Sequence, residues 1–106
     1  MNEIIPAILA ADENEYQEQI SQIENASHIV HVDIMDGIFV EHKSVPIDKI
    51  GPLTTSLNRV AHLMVADPIS YFSQLSAYGF IGAIVHFEAF NKQTQVFDAI
   101  IKAEEL

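Results

Sequence analysis

The 106-residue sequence has no cysteine, five basic residues against fifteen acidic ones, and no uninterrupted apolar run longer than Ile4 to Ala11. Without cysteine there is no disulfide framework, thiolate metal site or thiol nucleophile, so any metal must be held by histidine and carboxylate. The net charge of −10 is unevenly spread: residues 1–42 carry nine acids and no Lys or Arg, and residues 43–106 carry six acids and five bases. A basic patch for nucleic acid or anionic membrane is therefore not expected. The apolar run is too short to span a bilayer, lacks the positive start of a signal peptide and leads directly into Asp12, so a cytoplasmic protein is expected. What is present is the material of a folded domain, with 49% hydrophobic residues.

The hydrophobic pattern alternates between short β-rich runs and helical stripes. Ile4 to Leu9 resembles a strand buried on both faces, with Pro6 arguing for an early or irregular place in it. Asp12 is an N-cap for a helix carrying Tyr16, Ile20 and Ile23. Ile29–Ile34 is a second strand ending at the turn Asp36-Gly37. Residues 35–46 read as a loop, and 47–57 as a helix broken by Gly51-Pro52. Arg59–Val65 is a third strand, followed by Asp67 as N-cap and Pro68 at the first position of a helix closed by Gly79. Gly82–His86 is a fourth strand, and Asn91–Leu106 carries a last helical stripe. Four strand-then-helix units predict an α/β fold with parallel strands joined by right-handed crossovers. The first strand–helix turn has Ala10-Ala11-Asp12 in place of a glycine fingerprint, which argues against dinucleotide binding.

Strand alternation places His31 and Asp33 on one face of the second strand, opposite Val30, Val32 and Ile34. On the third strand it places His62 with Val60 and Met64. If both polar sets point inward at one height, His31, Asp33 and His62 converge into a first shell suited to zinc, manganese or iron. The alternative is that each histidine is an ordinary hydrogen-bonded strand residue. Asp33 is harder to explain that way, because a carboxylate within an apolar strand needs a partner or an ion. His86 and Glu88 share a face at the end of the fourth strand, either lining a site or forming a structural ion pair. Asp36-Gly37 reads as a turn, and His28 and His42 as solvated.

Four segments carry a family resemblance: Pro6–Asp12; His31-Val32-Asp33-Ile34-Met35-Asp36-Gly37 continuing to Val40; His62-Leu63-Met64-Val65 with Asp67-Pro68; and Val85-His86-Phe87-Glu88-Ala89. In order and spacing they resemble the ribulose-phosphate 3-epimerase family across essentially the whole chain. The resemblance implies a (β/α)8 TIM barrel, of which residues 1–106 would be the N-terminal half. It implies an isomerase of the pentose phosphate pathway that interconverts D-ribulose 5-phosphate and D-xylulose 5-phosphate through a metal-stabilised enediolate. By the same resemblance Asp33 is a catalytic acid/base. His31, Asp33 and His62 are ligands of one divalent ion (zinc, iron, manganese or cobalt), and His62, Met35 and Met64 lie against the sugar phosphate.

The sequence departs from the family pattern at Ala7 for a substrate-contacting Ser, at Ile38 for a His, at Glu41-His42 for Pro-Asn, and at Ala61 for an Asp. A closed eight-unit barrel needs about 250 residues, and the family's second catalytic Asp and phosphate loops belong to its other half. The expectation is therefore a fragment or short form, working as a homo-oligomer or with a complementing C-terminal half. The alternative is a catalytically inactive half-barrel that binds metal or another protein.

Overall fold

A computed structural model describes residues 3–90 and 93–106. One sheet of four parallel strands runs in the order β1 (Ala7–Ile8), β2 (Ile29–Met35), β3 (Asn58–Met64) and β4 (Gly82–Val85). Between and after them lie helices α1 (Glu13–Ile23), α2 (Ile47–Ile50), α3 (Phe72–Ala77) and α4 (Gln93–Glu104). The chain is thus α/β with strict alternation, the arrangement of four consecutive units of a barrel.

Helix α1 starts where the sequence predicts. Asp12 Oδ1 accepts from the Glu15 N–H at 2.8 Å, and Glu15 Oε2 accepts from the Ala11 N–H at 3.1 Å, so two donors at the helix start are satisfied reciprocally. Tyr16 and Ile20 then turn into the core. β2 and β3 are matched residue for residue over seven positions, from Ile29 opposite Asn58 to Met35 opposite Met64. Their helix-side residues Val30, Val32, Ile34, Ala61 and Leu63 pack with Tyr16, Ile20, Ile50, Phe72 and Leu75 in one core.

Three expectations change. The first strand shrinks to Ala7–Ile8, leaving Ile4 exposed, because Pro6 has no N–H to give and contributes only its carbonyl, which accepts from His31 N–H at 2.9 Å. The 47–57 helix is a single turn, closed before Gly51-Pro52; a side chain at Gly51 would run into the Tyr78 ring. After Pro68 the backbone first makes a 3-10 turn, Pro68–Tyr71, before α3, and the Asp67 side chain does not cap it. The last helix covers Gln93–Glu104 among the described residues; its predicted start at Asn91 lies outside them. Gly79 closes α3 with φ +84°, as a glycine after a helix does.

Among the described residues no helix is long and apolar enough to cross a membrane.

Candidate active site

The alternation of β2 and β3 separates two kinds of side chain. Val30, Val32, Ala61 and Leu63 are essentially inaccessible, whereas His31, Asp33, Met35, Val60, His62 and Met64 are half-buried on the opposite face. The register sets Asp33 beside His62 and Met35 beside Met64, but sets His31 beside Val60 and Ala7. The predicted residues therefore sit on one face, at different heights.

Asp33 and His62 meet directly, with His62 Nδ1 3.1 Å from Asp33 Oδ1. An ionised carboxylate only accepts, so His62 Nδ1 carries the proton and donates. The other ring nitrogen, Nε2, lies 2.8 Å from Nε2 of His86. His86 follows β4, two residues beyond Ile84, which is the β4 partner of His62. It returns to the same face and reaches back over the sheet. Its ring stacks on that of His62, with centroids 5.0 Å apart, and Phe39 flanks it at 5.6 Å. Glu88 Oε2 lies 3.8 Å from His86 Nδ1.

The loop after β2 is tied down by Asp36. One carboxylate oxygen accepts from the N–H groups of Ile38 and Phe39 at 2.9 and 3.0 Å, and the other from Ala66 N–H at 2.9 Å. Burial works to raise the Asp36 pKa, but these backbone bonds outweigh it and hold the carboxyl below its usual range. The residue read from sequence as a turn former thus also clasps the ends of β2 and β3 together. Gly37, with φ +79°, makes that turn possible. Nearby, the Tyr71 hydroxyl is pushed up by burial and by the charges of Asp36 and Asp67, so it stays a neutral phenol.

Sequence reasoning missed Arg59 and Ser44, both buried. Arg59 points to the helix side, where its guanidinium donates to the carbonyls of Ile50, Gly51 and Tyr78 and to the Tyr16 hydroxyl. It also lies over the Phe80 ring, 4.3 Å from the centroid. The available signal was that this is the sole arginine of the chain and that it lies in a strand. Ser44 Oγ accepts from Met35 N–H at 2.9 Å, which holds the loop against the end of β2.

The residues do not gather into the ligand set that the resemblance implies for a divalent ion. Asp33 Oδ1 and His62 Nδ1 are bonded to each other, His31 stands opposite Val60, and among the described residues no group of three His, Cys, Asp or Glu side chains is placed to hold a metal. What the face offers as it stands is a carboxylate oriented by an imidazole beside two methionines.

Comparison with known proteins matches residues 3–104 to the family described as the ribulose-phosphate 3 epimerase family. A ribulose-phosphate 3-epimerase of Synechocystis is 35% identical over 89 residues, covering 80% of this chain and 38% of that protein. Those of Chlamydia muridarum and Schizosaccharomyces pombe are each 29% identical, covering 93% and 88% of this chain and 45% and 43% of their own lengths. The chain spans about two fifths of the length of these curated relatives.

Proposed function

The chain belongs to the ribulose-phosphate 3-epimerase family, and from that premise we propose that it contributes the proton-abstracting half of a carbohydrate epimerase acting on D-ribulose 5-phosphate and D-xylulose 5-phosphate. In this reading residues 1–106 are the first four βα units of a barrel. The observation that carries it is the Asp33–His62 hydrogen bond on the half-open face of the sheet. Asp33 Oδ1 is occupied by His62, and Oδ2 takes no bond among the described residues. In this reading that second oxygen removes the C3 proton of the ketose, generating an enediolate across C2 and C3. His62 keeps the carboxylate in one orientation and holds its charge ready, and Met35 with Met64 forms an apolar wall on which a flat enediolate can rest.

Inversion requires that a proton be returned to the opposite face of C3, which needs a second acid beyond Asp33. The resemblance further implies a divalent ion that would polarise the C2 carbonyl, but His31 stands two residues along the strand from the Asp33–His62 pair. For partners, the sheet edges offer a specific observation. Ile81 and Ile84 on the β4 side and Ile4 and Leu9 on the β1 side are exposed, which suits a second copy or a complementing half that supplies further strands.

The test is exchange of the C3 hydrogen of ribulose 5-phosphate in deuterated water, with this chain alone and mixed with the C-terminal half of a complete family member. Deuterium at C3 is expected, with net conversion only in the mixture. Asp33→Asn should abolish both, since an amide cannot take the proton; an Asn variant exchanging at the parental rate removes Asp33 from the chemistry.

A further inference from the structure

We infer that His86 is a positioning residue: its Nε2–H donates to Nε2 of His62, which fixes the tautomer and the plane of that ring and, through it, the carboxylate of Asp33. The inference rests on the proposed role of Asp33 as the base. A neutral imidazole has one N–H and one lone pair. His62 gives its Nδ1–H to Asp33 Oδ1 at 3.1 Å, so its Nε2 can only accept, and the atom that faces it at 2.8 Å is Nε2 of His86. His86 therefore carries its own proton on Nε2. Glu88 does not oppose this, since its Oε2 is 3.8 Å from His86 Nδ1, outside hydrogen-bond reach, and its side chain is 75% exposed.

A lone bond from His62 to Asp33 would leave the ring free to swivel or to exchange tautomers with water, because which nitrogen is protonated is set by the bond that the other makes. Bonds at both nitrogens remove that freedom. His86 can serve as a fixed donor because the fold determines its place. Its backbone continues the extended conformation of β4 (φ −94°, ψ 131°), which keeps its side chain on the face of Ile84 and His62. The turn Phe87–Ala89 follows at once, and the Ala89 N–H returns to the His86 carbonyl at 3.0 Å. The ring itself is stacked on His62 and flanked by Phe39, which belongs to the loop that Asp36 ties down. Three polar side chains from the β4 end, β3 and β2 thus form one hydrogen-bonded row ending on Asp33, in which each bond polarises the next. A base aimed at C3 gains from such fixing, because small misplacements of a reacting group are costly in rate.

The test joins 15N NMR of the imidazoles to the C3 exchange of ribulose 5-phosphate in deuterated water. In the parent, His62 is expected as the Nδ1–H tautomer and His86 as the Nε2–H tautomer. His86→Phe keeps a ring against His62 and Phe39 but has no N–H. With folding checked by circular dichroism, it should mix the His62 tautomers and lower kcat for exchange by about fivefold to tenfold, with KM within about twofold, as for the loss of one hydrogen bond. His86→Gln sets an amide N–H near the place of Nε2 and should restore both, and Glu88→Gln should change neither. A parent protein with its His62 proton on Nε2 overturns the inference, as does a folded His86→Phe protein that keeps either the parental kcat or the parental His62 tautomer. A Gln variant as impaired as the Phe variant overturns it by making the ring, not the donor, the working part. A rise in KM at constant kcat overturns it by placing His86 on the substrate, and a Glu88→Gln loss equal to that of His86→Phe overturns it in favour of the ion pair. If the parent exchanges nothing, or Asp33→Asn exchanges as the parent does, it is the epimerase reading of Asp33 that fails, and the NMR measurement alone decides whether His86 fixes His62.

Discussion

The two faces of β2 and β3 are made of alternate residues of the same fourteen-residue pairing, yet they do different work. On the helix side Val30, Ala61 and Leu63 have no accessible surface; on the other side His31, Asp33, His62 and Met64 remain half-buried. One face supplies the burial that stabilises the domain, since that term scales with apolar area removed from water. The other keeps groups that need water or a ligand. Because the backbone hydrogen bonds are shared, the closed face fixes the height at which the open face presents its polar residues: a slip of one position would send Asp33 into the core and Val32 to the surface.

The difference is sharpest for neighbours in sequence. Leu63→Ala is expected to destabilise the chain by about 4 kcal/mol, within the usual range for a leucine truncated in a closed core. Met64→Ala, one residue on and facing the open side, should stay below about 2 kcal/mol because fewer atoms lose their partners. Urea unfolding of both variants checks this. Equal losses would mean that the open face is packed as tightly as the closed one.

Arg59 is the exception to the division, a charge on the closed face. It is tolerated because its N–H groups meet the carbonyls of Ile50, Gly51 and Tyr78 at the ends of α2 and α3, of which Ile50 also accepts from the Leu53 N–H. Arg59→Met keeps the apolar stem and removes the donors. It should destabilise by about 2–3 kcal/mol, since buried carbonyls left unsatisfied are expensive. A methionine variant as stable as the parent would show that these carbonyls find water, and that the guanidinium is not needed to join the two helices.

The same division explains what could be read from the sequence. Strands β2 and β3 were legible because their apolar residues alternate without interruption, and alternation also put Asp33 and His62 on one face. Their direct bond depends on register, which depends on both strands together. His86 was recognisable as a polar residue at a strand end, but its approach to His62 was not, because it lies past the last paired residue and follows from how the chain turns over the sheet. Arg59 was illegible for the opposite reason: the pattern assigned its position to the core, and its partners come from three separate elements. The first strand was overestimated because composition registers the isoleucines and takes no account of the N–H that Pro6 lacks.

The smallest expected effect lies where the two faces meet, at the Asp36 clasp. Its carboxylate accepts three backbone N–H bonds, two from Ile38 and Phe39 in its own loop and one from Ala66 just past β3. Burial alone would raise its pKa, and the bonds from Ala66, Phe39 and Ile38 bring it below the ordinary value. A carboxyl group whose folded pKa is lower than its unfolded one stabilises the fold above the unfolded value, near 4, and loses that contribution as pH falls through the folded value. The group faces solvent, so screening keeps the contribution at neutral pH to less than about 1 kcal/mol. Asp36→Asn can keep the bonds to Ile38 and Phe39 through its carbonyl, but it then presents an NH2 to the Ala66 N–H, two donors facing each other. The gap in unfolding free energy between parent and variant should therefore be present at pH 7 and narrow as the pH falls below about 4. A gap that stayed constant from pH 7 to pH 3 would mean that the clasp acts through shape alone, and that the charge on Asp36 has no part in holding the loop over the open face.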